Sequence, residues 1–403
     1  MDATERRIIG YTAGAHYLSH ALELTFAAVL VLVGMEYGVG PAMLGAMANA
    51  FALAFGATAL PAGLLADRIG SRRLFVICLL SSAVAAALVA ASSSLPVLTG
   101  ALVLLGLTAG LYHPAGLSLI ARATRARGIA LGYHGVAGNL GVALTPFIAG
   151  GIGALLGWRA AYLFAGGLSL ALAFVVHFSG IGEGEAPAAE KSAAPANAGG
   201  NGRSLVTPLV VIFGANFLTG FIYRGSVTFL PKHILENGHL GLFNMDPVAA
   251  AGSFTTIALL FGVVGQYLGG HLAHRFRLER IAVIMAFAIV PPLLLMGVAS
   301  GGLLVAAAAA FAFFNFMGQP TFNSLVAEFT PRRLQGRSYG IYFFCSFGIG
   351  SFAAGVSGLI AERFGLPWIF FALAGVGVLL VLLTLYLLGL TSALRAKQTA
   401  AAA

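Results

Sequence analysis

Apolar runs of about 20 residues follow one another through this chain, with charges gathered between them. A helix needs about 20 apolar residues to cross the hydrocarbon core of a bilayer. Only helices and closed barrels satisfy their backbone groups there, and runs this long without strict alternation select helices. Twelve crossings are predicted, over residues 9–34, 42–65, 73–92, 95–121, 128–154, 159–180, 206–231, 248–272, 279–299, 301–328, 337–361 and 366–390. Hydrophobic residues make up 59% of the chain and charged ones 9%, against roughly 25% charged in a soluble domain. The fold class expected is all-α integral membrane, with twelve transmembrane helices in two six-helix pseudo-symmetric bundles. The 54 glycines suit close helix approach in a bilayer.

The crossings divide into two sets. Residues 1–182 form an N-terminal bundle, 183–205 a linker, and 206–403 a C-terminal bundle. The linker stretch "EGEAPAAEKSAAPANAGGNGR" is rich in Ala, Gly, Pro and charge and packs no core. The halves also echo each other. "GAHYLS" at 14–19 matches "GANFLT" at 214–219, and "HPAGLSLIARAT" at 113–124 matches "QPTFNSLVAEFT" at 319–330. Matches in one order at a near-constant separation indicate duplication, and duplicated membrane halves place a substrate site between them near the midplane.

With the N-terminus in the cytoplasm, alternating loops place all but four of the 22 Lys and Arg on the inside; the exceptions are Arg159, Arg224, Lys232 and Arg363. The positive-inside rule therefore predicts a multi-pass protein of a bacterial inner membrane with both termini cytoplasmic. It also accounts for the net charge of +9 without a nucleic-acid partner. No cleavable signal is read at the N-terminus, so the first helix is expected to direct insertion. The two cysteines, in separate apolar stretches, make neither a disulfide framework nor a CxxC motif.

Polar groups inside the apolar runs locate the candidate site. In "HYLSHALE", His16, His20 and Glu23 stand at i, i+4 and i+7, on one helical face. A charge in mid-bilayer costs about 2.5–3.5 kcal/mol on the insertion scale, so this face is expected to point into the bundle. His113 and His134 add two more imidazoles from the fourth and fifth crossings. From the second half come Asn216, Phe217, Tyr223, Arg224 and Gln319, with Gln266, Asn315 and Asn323 as further hydrogen-bonding groups. Tyr17 is a candidate lining residue, and Asn139 is read as a helix-packing hydrogen bond. Arg224 cannot shed its charge, so it needs an anion, either Glu23 or a substrate.

Between the second and third crossings stands "GLLADRIGSRR", with Gly63, Asp67, Arg68, Gly70, Arg72 and Arg73. It resembles the signature loop of the major facilitator superfamily, G-x-x-x-D-R/K-x-G-x-R/K-R/K, and lies where that family places it. The resemblance covers essentially the whole chain and implies a secondary transporter working by alternating access. A gate is read at this loop, with Arg122 as the partner of Asp67. In the second half, "GHLAHRFRLER" has His274 in place of the aspartate, and Arg275 with Glu328 is read as the same brace with its charges exchanged. The fifth crossing, "GYHGVAGNLGVALTPFIAGG", loosely resembles the glycine-proline motif of proton-driven exporters, although Thr145 precedes Pro146. "HYLSHALE" paired with "GLYHPAG" resembles transporters related to the fosmidomycin-resistance exporters.

Carboxylates and imidazoles take up and release protons near neutral pH, so Glu23, His20 and His134 are the proton-coupling candidates. Arg224, Tyr223, Tyr17, His16, His113, Asn216, Phe217 and Gln319 are the substrate candidates. The function expected is proton-coupled transport of a small anionic or amphipathic organic solute, with export favoured and symport of an organic acid as the alternative. A transition-metal transporter is a third reading, opposed by the fixed charge of Arg224, and no resident metal or cofactor is expected. Neither HExxH nor a nucleophile elbow is present, so no catalytic residue is assigned. The partners expected are the solute, protons and lipid, with the chain acting as a monomer.

Overall fold

The computed structural model describes residues 3–124, 127–180, 203–239, 245–330 and 335–402. The linker read at 183–203 lies almost entirely outside them. The helices are α1 (Ala3–Tyr37), α2 (Pro41–Ile69), α3 (Ser71–Ala90), α4 (Leu95–Ala109), α5 (Tyr112–Ala123), α6 (Arg127–Leu156), α7 (Trp158–Phe178), α8 (Arg203–Asn237), α9 (Pro247–Arg275), α10 (Leu278–Met296), α11 (Gly301–Phe329), α12 (Gln335–Phe343), α13 (Phe352–Phe364) and α14 (Pro367–Ala402). No strand occurs among the described residues.

Eleven helical stretches among the described residues are long and apolar enough to cross a membrane, one of them running from α12 into α13. The remaining predicted crossing, 95–121, is broken into α4 and α5. Proline has no N–H, so at position 114 it leaves the Gly110 carbonyl without its i+4 donor, and the chain turns at Gly110 and Leu111. A second irregularity joins α12 to α13: a π-helical turn over Phe344–Gly348, then a 3₁₀ turn over Ile349–Ser351. Gly70, at φ 91°, makes the one-residue turn from α2 to α3 in a backbone region that other residues rarely adopt.

Within the first half α1 packs on α6, α3 on α7 and α2 on α4; within the second α9 packs on α11 and α10 on α14. The halves meet where α6 crosses α9, α2 crosses α13 and α1 crosses α8. At the end away from the termini these meetings are tight. A Cβ added to Gly45 of α2 would lie 3.0 Å from Gly358 Cα of α13, and the Ala42 N–H donates to Glu362 Oε2 at 2.9 Å. On the other side of the molecule, a Cβ on Gly150 of α6 would lie 3.7 Å from Gly252 Cα of α9. At the end carrying the termini α6 and α9 part. Gly132 and Gly270 have no neighbour within 4 Å of an added Cβ, and a cleft of about 920 Å³ opens between them. The halves are thus closed at one end and open at the other.

The candidate gate loop is described in part. The surroundings of Gly63 and the side chains of Asp67 and Arg122 lie outside the described residues. Arg68 and Arg73 are exposed, and Arg72 donates to the His177 carbonyl at 2.8 Å. The expected Arg275–Glu328 brace is replaced. Glu328 pairs with Arg395 of α14 at 2.9 Å, and Arg395 also reaches the buried Glu279 at 2.9 Å. Arg275 is exposed at the end of α9. The repeat aligned the two loops but carried no information about α14, whose basic end reaches Glu328 first.

Candidate functional site

The polar face of α1 points into the protein, where His16, His20 and Glu23 are buried. α6 lies close against it because Gly138 faces the His16 ring and Gly141 the Tyr17 backbone, where any side chain would collide. Those glycines therefore have a packing role that is independent of transport direction.

A continuous chain of polar contacts runs across the interface. His16 Nδ1 donates to the His134 carbonyl at 2.6 Å. His16 Nε2 faces His20 Nε2 at 3.1 Å, and His20 Nδ1 faces Glu23 Oε2 at 2.6 Å. The other Glu23 oxygen pairs with Arg224 from α8, and both side chains are buried. Each of the three histidine contacts needs one hydrogen, while two neutral imidazoles supply two. Filling all three at once calls for a third hydrogen, which makes this cluster a candidate for taking up a proton.

Two further histidines flank the chain. The His134 ring stacks on His16 with centroids 3.9 Å apart, and its Nδ1 lies 3.3 Å from the Tyr112 hydroxyl, which donates to the Thr12 carbonyl. His134 thus contributes its main-chain carbonyl to the polar chain. The ring of His113, at the start of α5, stands edge-on to His16 and His20 at 5.1 and 5.3 Å. Phe55, Phe343 and Phe347 surround its outer side.

Next to His20 lies a central cavity of about 70 Å³. Asn139 shares its first-half wall, while Asn216, Tyr223, Asn315, Phe316, Gln319, Phe343 and Phe347 line it from the second half. Asn216 donates to the Tyr342 carbonyl at 2.7 Å, and Tyr223 stands edge-on to Phe316 at 5.6 Å with the Arg224 guanidinium 5.9 Å from its ring centre. Typical small-ligand pockets run to roughly 300–1,000 Å³, so the site is contracted in this conformation. Asn139 also lines the terminal-end cleft, and its side chain donates to Gln266 of α9. Asn139 thus borders both cleft and cavity, and this amide pair ties it to α9.

His20, Asn216, Tyr223 and Gln319 line the central cavity, with His16, Glu23 and Arg224 directly behind. Two candidates lie elsewhere. Tyr17 borders a crevice of about 20 Å³ between α1, α6 and α7, because it sits one residue round the helix from His16. Phe217 packs on Phe221 at 5.9 Å and is not among the cavity-lining residues. Sequence reasoning missed Phe343 and Phe347. Their apolar type gave no signal, although their i, i+4 spacing puts both on the face that meets His113.

The family model described as Major Facilitator Superfamily matches residues 13–355. The chain is 26% identical over 316 residues to the Cupriavidus necator protein named "Probable sulfoacetate transporter SauU", covering 70% of this chain and 69% of that one. It is 33% identical over 118 residues to the methylenomycin A resistance protein of Bacillus subtilis, covering 28% of this chain and 25% of that one. A solved POT family transporter in complex with a thioalcohol-conjugated peptide superposes with a TM-score of 0.77 at 13% identity, covering 96% of each chain. A bacterial homolog of the human lysosomal transporter Spinster, inward-facing and occupied, does so with a TM-score of 0.75 at 14% identity, over 96% of this chain and 97% of that one.

Proposed function

The chain belongs to the major facilitator superfamily and is a multi-pass membrane transporter rather than an enzyme, and from that premise we propose that it carries a small organic anion together with a proton. The observation that carries this reading is the Glu23–Arg224 pair, one partner from each half, beside the cavity and in contact with His20. Empty and free of added protons, the site holds that pair as a neutral unit. An arriving anion takes over Arg224 and leaves Glu23 without a counter-ion. An uncompensated buried charge costs several kcal/mol, and a proton from the adjacent histidines removes it. Loaded with one anion and one proton, the site is neutral again. Both neutral forms can pass through the closed intermediate of alternating access, whereas the singly loaded forms carry net charge and are held back.

This logic is symport, so the geometry favours uptake of an organic anion over export. The glycine-rich stretch of α6 that suggested export has its own packing role against α1. The amides and aromatics of the cavity suit a short anion with some apolar surface. One relative is named for sulfoacetate, a dianion that would need a second proton to reach the same neutrality, so short monoanionic sulfonates and carboxylates are to be tested beside it. The proposed setting is a bacterial inner membrane with both termini in the cytoplasm.

The test is transport into proteoliposomes of purified protein under an imposed pH gradient. Sulfoacetate or a related anion is expected to accumulate faster when the gradient drives protons in the same direction, and Arg224→Ala is expected to abolish accumulation. Faster movement against the proton gradient would establish exchange instead, and flux indifferent to Arg224 would end the anion assignment.

A further inference from the structure

We propose that His16, His20 and His113 form a binding site for a divalent transition-metal ion, zinc being the best match, that takes the place of the hydrogen between the two Nε2 atoms. The charge of Arg224 argued from sequence against any metal here. In the structure that charge is met by one Glu23 oxygen while the other holds His20, so the histidines face a neutralised pair.

The spacing is that of a three-histidine site. One ligand nitrogen from each residue lies within 4.8 Å of the others, and the ring centroids stand 4.8, 5.1 and 5.3 Å apart. With Zn–N bonds of about 2.0–2.1 Å, three imidazoles on one tetrahedral ion have centroids about 5 Å apart. The two Nε2 atoms at 3.1 Å are already close to the separation that a shared ion imposes.

The surroundings are those of metal ligands. Zinc-bound histidines almost always donate their other ring N–H to a carbonyl or carboxylate, which fixes the tautomer and aims the free nitrogen. His16 Nδ1 donates to the His134 carbonyl and His20 Nδ1 faces Glu23, so the Nε2 of each is the one left to bind. His113 Nε2 is buried and has no hydrogen-bond partner among the described residues, a cost that coordination would remove. Phe55, Phe343 and Phe347 limit the movement of its ring. Three neutral imidazoles suit zinc, cobalt, nickel or copper and disfavour magnesium and calcium. Three protein ligands leave a fourth position open.

Cobalt(II) titration of tag-free protein in detergent provides the test, because a tetrahedral cobalt site absorbs strongly in the visible. The expected result is one band saturating at one equivalent and bleached by zinc. His113→Phe keeps the ring packing and must lose the band. Glu23→Gln, which removes the support behind His20, is expected to weaken binding by about 10–100-fold. His177→Ala, on the exposed end of α7, should change nothing. A weak octahedral-type spectrum, no saturation at one equivalent, or a full band in His113→Phe would each overturn the site.

Discussion

Glu23 and Arg224 show how far one residue's chemistry can be read before its neighbours are known. A carboxylate and a guanidinium in apolar helices each demand a partner, and few partners exist, so their pairing was legible from the sequence. The same scarcity makes the pair fragile. Removing one member of a buried ion pair costs about 3–5 kcal/mol, because the survivor stays buried and uncompensated. Glu23→Gln is therefore expected to lower the thermal unfolding temperature of detergent-solubilised protein markedly, while Glu23→Gln with Arg224→Gln recovers most of the loss. An additive double variant would show that the two residues do not act on each other. In transport, Glu23→Gln is expected to erase the pH dependence while anion binding persists; an unchanged pH profile would move the proton elsewhere. His134 was less legible. Its residue type suggested a titrating ring, yet it serves the polar chain through its carbonyl, a group that every residue possesses and no pattern marks.

At the scale of helices, α1 and α6 were readable as apolar runs, and their mutual approach was readable only as a surplus of glycine. Gly141 faces the Tyr17 backbone and Gly138 the His16 ring. Gly141→Val is expected to separate the two helices and destabilise the protein by about 1–3 kcal/mol, the usual range for overpacking. A folded, fully active Gly141→Val protein would show that the helices can part there freely. The breaks in the helices were less evident. Pro114 marked the first, but the π-helical turn at Phe344–Gly348 has no hydrophobic period of its own, and such turns often mark functional sites. The amide pair between α6 and α9 was equally hidden, since Asn139 and Gln266 are 127 positions apart. Asn139→Leu is expected to leave folding intact and alter the rate at which anion reaches the cavity. Stopped-flow quenching of Tyr223 and its neighbours by an aromatic anion would follow that rate, and an unchanged rate would show that this contact does not govern access.

For the whole molecule, twelve apolar runs and a duplicated order were enough to anticipate the architecture. Sidedness remains a proposal open to direct measurement. Reporter fusions within 183–203 and at both ends are expected to report cytoplasm, and a periplasmic signal from any of them would overturn the proposed orientation. Asp67→Asn is expected to insert normally and transport slowly, and normal rates at normal expression would remove the gate from that loop. The end away from the termini closes through glycine backbones, at Gly45 with Gly358 and Gly150 with Gly252, and a few polar contacts. Dispersion between flat surfaces decays within an ångström: a gap of about 0.5–1 Å already forfeits a quarter to a half of it. Such a seam has no stable half-parted position, so the molecule should behave as a switch with dwell times and not as a hinge with a range of angles. Dye pairs across α2 and α13 in single molecules would then jump between two levels of energy transfer, with cargo and protons changing how long each level lasts and not where it lies.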